Sequence, residues 1–157
     1  MFIDEKESAE IKIYYKKVGR HYSAYSEEDF NELVFEVNDK MTEEEKKKHI
    51  EEEKAKFKSV TIKARPLTWG LYNDLQEEAV VKDNSGNRQW NYKRYKEIKL
   101  RRIIMEWDAK IARESDGQMV PAPLNPNTIS NLSPDIAEVI LNAYDKIMVM
   151  DDDEEKK

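Results

Sequence analysis

A chain of 157 residues with an apolar fraction of 39% suits one domain with a modest core. Charged residues make up 38% of it and the formal net charge is -6, so a nucleic-acid backbone would meet a mostly repelling field. There is no cysteine, which excludes a disulfide framework and any thiolate metal site.

The opening Met1-Phe2-Ile3-Asp4-Glu5 lacks the basic start and apolar run of a secretory signal. No stretch approaches the roughly 20 apolar residues of a membrane span, so the expected compartment is the cytoplasm, with no membrane partner. Ile11, Ile13 and Tyr15 alternate with Lys12 and Tyr14, the period-two pattern of a half-buried strand. Gly19 marks a turn, and His21 to Tyr25 reads as the returning strand. Ser26 with Asp29 three positions on resembles a capping box that uses Asp in place of Glu, whereas the alternation of Leu33, Phe35 and Val37 reads Asn31 to Val37 as a strand. Residues 1–41 are therefore expected to form a small N-terminal α+β element.

Thr42 to Lys56 predicts a charge-dense helix in which Glu43 faces Lys47, Glu44 faces Lys48 and Glu52 faces Lys56. Met41, Ile50, Ala55 and Phe57 are too few for a wide apolar stripe, so residues 42–58 read as a solvated connector. Phe57, Val60, Ile62 and Ala64 then outline a strand that Pro66 ends, because proline has no amide hydrogen to give a ladder. Thr68 can cap a helix to Val80 with Trp69, Tyr72, Leu75, Ala79 and Val80 on one face, and Asp83 to Asn87 is turn chemistry.

A long helix is expected from Asn91 to Ala112, with Leu100, Ile103, Ile104, Trp107 and Ile111 as its apolar stripe. Lys93, Arg94, Lys96, Lys99, Arg101 and Arg102 crowd the same segment without forming one coherent strip around the wheel. They read as a solvated or acidic-partner-facing surface rather than a nucleic-acid face. Asp116-Gly117 is a turn, Pro121, Pro123 and Pro126 keep the next stretch extended, and Asn127-Thr128 offers a cap for a single turn. Ser133-Pro134-Asp135 opens a last helix to Met150 on the stripe Ile136, Ile140, Ala143 and Ile147. Asp151 to Glu155 lead an acidic tail, residues 151–157, expected to be disordered. The expected fold is α+β and mainly α: the N-terminal β element, the charged connector, and a C-terminal bundle of about three helices over residues 59–150.

No catalytic, cofactor or metal site emerges from the residue pattern. His21 and His49 are the only histidines and neither has a partner at ligand or triad spacing. Gly19, Gly70, Gly86 and Gly117 are too scattered to cradle a phosphate. Asp151, Asp152 and Asp153 form a run of acids rather than a preorganised oxygen cage, and Glu106 and Asp108 sit two apart, which on a helix means they do not face each other.

A strand, then Arg65-Pro66-Leu67-Thr68-Trp69-Gly70 opening a helix, a helix ending near Trp107-Asp108, the turn Asp116-Gly117, Val120-Pro121, and Ile129, Leu132, Pro134 and Ile136 at the start of the last helix: in this order the motifs over residues 57–150 resemble the small tail assembly chaperones of tailed phages. The resemblance implies a non-enzymatic helper in the host cytoplasm that organises the tape measure protein while the tail tube polymerises. Such a partner is a long helix with an apolar stripe, which needs a groove rimmed with charge. Trp69, Tyr72, Trp107 and Ile111 are the candidate groove residues; the bland alternative is that all four close the domain's own core. The competing functions are a structural virion component, such as a tail connector or completion protein, and a small nucleic-acid-binding regulator. Self-association into a homo-oligomer is left open, as is a longer product made by frameshifting.

Overall fold

The computed structural model describes the backbone of residues 1–155 and the side chains of residues 1–148. Strand β1 (Ala9–Val18) turns back into β2 (His21–Ser26) through Gly19 and Arg20, and Gly19 has the positive φ of 62° that this two-residue turn requires. Ser26 then caps α1 (Glu27–Asn31), its Oγ accepting the Asp29 N–H at 3.2 Å without the return bond that a full capping box needs, and residues 33–37 form no strand. Helix α2 (Glu43–Ala55) starts on a full capping box between Thr42 and Glu45 and has no buried residue. Its ion pairs run one residue tighter than expected, Glu43 with Lys46 and Glu53 with Lys56.

β3 (Lys58–Ala64) leads to α3 (Trp69–Glu78), capped by the Thr68 hydroxyl, and to a hairpin of β4 (Val80–Lys82) and β5 (Arg88–Trp90). Helix α4 (Tyr92–Ile103) runs directly into β6 (Ile104–Trp107). A second small hairpin pairs β7 (Lys110–Ala112) with β8 (Met119–Pro121), and the short α5 (Pro126–Ser130) precedes α6 (Pro134–Glu155). The acidic tail expected over residues 151–157 falls where side chains, and for residues 156–157 the backbone as well, lie outside the described residues.

The mainly helical fold with a C-terminal bundle of about three helices is not what forms. The centre of the molecule is a four-stranded antiparallel sheet in the order β2-β1-β3-β6, accompanied by two two-stranded hairpins. Strands from both sides of residue 58 share that sheet. The expected helix from Asn91 to Ala112 stops at Ile103, and a bulge explains why its stripe misled. Ala64 pairs with Ile104 and Ile62 with Trp107, while the register shifts at Lys63/Ala64 so that Met105 is an extra residue. The extra residue puts Ile104 and Trp107 on the same face of a strand although they are three apart, which is helical spacing.

One face of the sheet holds the core. Ile11 stands opposite Ile62 and Ile13 opposite Val60, so all four point the same way, and with Ala64 and Ile104 they are buried. Helix α6 lies over this face through Ile136, Ile140, Leu141 and Tyr144, joined by Leu100 and Ile103 of α4 and Ile129 of α5. Tyr144, with 0% exposure, donates its hydroxyl hydrogen to the Arg65 carbonyl at 2.9 Å and so ties α6 to the end of β3. The other face carries a smaller aromatic cluster: Phe30 stacks on Tyr14 at 4.0 Å and meets Phe57 at 5.1 Å. At the outer edge of the sheet the Tyr22 amide donates to Asp135 Oδ2 at 3.3 Å, so the first turn of α6 covers part of β2's unpaired side.

Candidate functional site

Where β6 leaves the sheet, the packing against its apolar face leaves a cleft whose floor residues Val60 and Ile62 are nevertheless buried. A cleft of about 540 Å³ opens between the sheet, the β7–β8 hairpin, α5 and the start of α6. Tyr15, Val60 and Ile62 supply sheet residues, Trp107 and Ile111 one wall, and Leu132, Ile136 and Ile140 the other. Asn127, Thr128, Asn131 and Ser133 give this mostly apolar space one polar end. Such a lining, a few polar groups around an apolar floor, is the ordinary make-up of a binding site.

Backbone and side-chain bonds fix the walls. Asp108 accepts the Thr61 N–H at 2.7 Å on its Oδ1 and returns its own N–H to the Thr61 carbonyl at 3.2 Å, which pins the exit of β6. Trp107 donates its Nε1 hydrogen to the Ala122 carbonyl at 3.0 Å, and Ala122 donates to the Ala109 carbonyl at 2.8 Å, so the proline-rich stretch is held against the strand. Tyr15 packs edge-on to Tyr22 with centroids 6.0 Å apart. Burial, then the neighbouring Tyr22 and Asp108, push the Tyr15 hydroxyl above its usual pKa, so it stays a neutral hydrogen-bonding group. Among the described residues no group of three His, Cys, Asp or Glu is placed to hold a metal ion.

Two of the four candidate groove residues meet here: Trp107, half-buried, and Ile111, 48% exposed. The other two are brought together elsewhere. Trp69 and Tyr72 stack on each other on α3, centroids 5.6 Å apart and planes 17° from parallel, with Trp69 76% and Tyr72 42% exposed. Neither closes the core, and neither lines the cleft. Tyr22, Leu132 and Ile136 are cleft residues that were not singled out as such. Alternation and helical spacing marked several as inward-facing, but no sequence signal distinguishes a packed inward residue from one facing a gap.

The cations of α4 are largely spoken for. Lys96 pairs with Glu138 at 2.6 Å, Arg101 with Glu97 at 2.6 Å, Arg102 with Glu78, and the buried Lys99 with Asp145 beneath the rings of Tyr95 and Tyr144. Glu138 holds the Lys96 ammonium above its usual pKa, and Glu78 does the same for the Arg102 guanidinium. No protein-family model, curated protein or solved structure matches this chain. Among the described residues no helix is long and apolar enough to cross a membrane.

Proposed function

We propose that this chain is a non-catalytic assembly helper of the tail-chaperone kind, which shields the apolar stripe of a long helical tape measure protein in the host cytoplasm. The observation that carries this reading is the open apolar cleft lined by Tyr15, Trp107, Ile111 and Ile136. A partner helix would set apolar side chains into it, the helix-in-groove mode of recognition. The Arg65-Pro66-Leu67-Thr68-Trp69-Gly70 opening of α3 and the Pro134 opening of α6 support the same reading, although the helix that the resemblance ends near Trp107 ends at Ile103, and the exposed Trp69–Tyr72 stack offers the partner a second apolar contact. Because Lys96, Lys99 and Arg102 of α4 are paired with acids of α3 and α6, the nucleic-acid alternative loses much of the basic strip it would need.

The test is co-purification of the tagged chain from cells that express its neighbouring reading frames, with mass spectrometry of what is retained and of finished particles. Retention of one very long helical protein, with this chain missing from particles, supports the helper. A stoichiometric place in the particle would replace it with a structural virion component. Ile111→Asp should abolish retention while the fold persists, since Ile111 is half exposed on the cleft wall.

A further inference from the structure

The β4–β5 hairpin has an exposed face that neither the core nor the cleft uses. Val80 pairs with Trp90 and Lys82 with Arg88, and residues two apart on a strand share a face, so these four side chains lie on one side. Trp90 sits 5.1 Å from Tyr95 and 6.0 Å from Tyr92, ring centroid to ring centroid. Val80, Trp90 and Tyr92 are 37%, 47% and 60% exposed. A patch of three aromatic rings is thus bordered by Lys82 and Arg88, with Lys93 following in the first turn of α4.

The charges around this patch are unequal. None of the ion pairs among the described residues involves Lys82, Arg88 or Lys93. Three of the nearby acids have other work: Asp83 Oδ1 accepts the N–H groups of Ser85 and Asn87 within the turn, Glu78 binds Arg102, and Glu97 binds Arg101. On a chain with a formal net charge of -6 these are three cations without an ion-pair partner among the described residues.

We propose that the hairpin face binds an acidic protein segment carrying apolar or aromatic residues among its carboxylates. Three cations and three rings match such a segment: the rings take its apolar side chains and the cations its carboxylates, the mix of aromatic and Arg anchors that dominates protein interfaces. A single nucleic-acid strand fits the patch less well. Bases stack in series on open rings along a continuous cationic track. Here the rings tilt by 44° and 45° against one another, and Lys96 and Arg101 of α4 are already paired.

The proposal is tested by fluorescence anisotropy on the full chain, with a labelled peptide in which glutamates alternate with leucine and phenylalanine, and with a labelled oligothymidine. The peptide should bind, more weakly as salt rises, and Lys82→Glu combined with Arg88→Glu should weaken it about tenfold or more. Trp90→Ala should weaken it too, with an unchanged circular-dichroism spectrum showing that the fold persists. Ile111→Asp should leave peptide affinity unchanged, which separates this surface from the cleft. Absent peptide binding, or binding indifferent to the charge reversal, overturns the proposal. So does oligothymidine bound in place of the peptide, which would make the face a nucleic-acid surface.

Discussion

Helices α2 and α4 look alike as sequences and behave as opposites. They are 13 and 12 residues long and both dense in charge, yet α2 buries nothing while α4 buries Ile98, Lys99, Leu100 and Ile103. In α2 the ion pairs lie within the helix, between residues three apart. In α4 one pair, Arg101 with Glu97, lies within the helix, but three reach outward, from Lys96 and Lys99 to α6 and from Arg102 to α3, so the charges surround an apolar seam and hold three helices in register. Charge density alone therefore does not say whether a helix is a solvated strap or a structural centre; the apolar residues between the charges decide it.

The comparison breaks most visibly at the buried end of α4. Ile103→Ala, at a residue with 0% exposure, should cost about 2–5 kcal/mol in urea unfolding, whereas Ile50→Ala in α2 should cost well under half as much. If the two prove equal, α2 is packed in a way its exposure does not reveal. Tyr144→Phe should cost about 1–3 kcal/mol, because the Arg65 carbonyl loses its hydrogen-bond donor. Burial raises the pKa of both Tyr144 and Tyr15 above the ordinary 10.0, so the folded chain keeps phenolic protons that an unfolded chain releases. Stability is then full below pH 10.0 and declines as pH rises beyond it, and a pH series of thermal melts should show a shallower alkaline decline in Tyr144→Phe.

Effects in α2 should be smaller and local. Thr42→Ala removes the capping oxygen and should destabilise that helix by about 0.5–2 kcal/mol, seen as faster hydrogen exchange in residues 43–55 with α4 unchanged. Lys46→Ala should leave the unfolding midpoint where it is, since its partner Glu43 is almost wholly solvated.

The parts of the fold governed by local chemistry were legible in the sequence. Alternation marked β1 and β3, the Gly19 turn marked β2 as the returning strand, and the Thr42, Thr68 and Pro134 signals marked three helix starts. Turn residues marked the turns of both small hairpins, though not the strands β4 and β7, whose residues had read as helix ends. What failed was the reading that required a distant partner. Ile104 and Trp107 pair with Ala64 and Ile62, some forty residues earlier, and the bulge at Met105 gave that strand the spacing of a helix. The cap of α5 was placed at Asn127 and is Asn125, whose side chain accepts the Thr128 N–H. Of the candidate site, large apolar side chains at helical spacing pointed to Trp69, Tyr72, Trp107 and Ile111, but only tertiary structure divides them into two surfaces. The hairpin patch was hidden for a related reason: Lys82, Arg88 and Trp90 belong together through cross-strand pairing, not through a run of sequence.

The bond from the Tyr22 amide to Asp135 joins groups 113 residues apart. During synthesis β2 must therefore wait for α6 before its outer side is covered, and for that interval it offers both an open ladder and the bare apolar face behind it. Chains cut short before residue 134 should thus be the insoluble ones, and the last helix acts as the closure that ends the protein's vulnerability to sticking to its own kind.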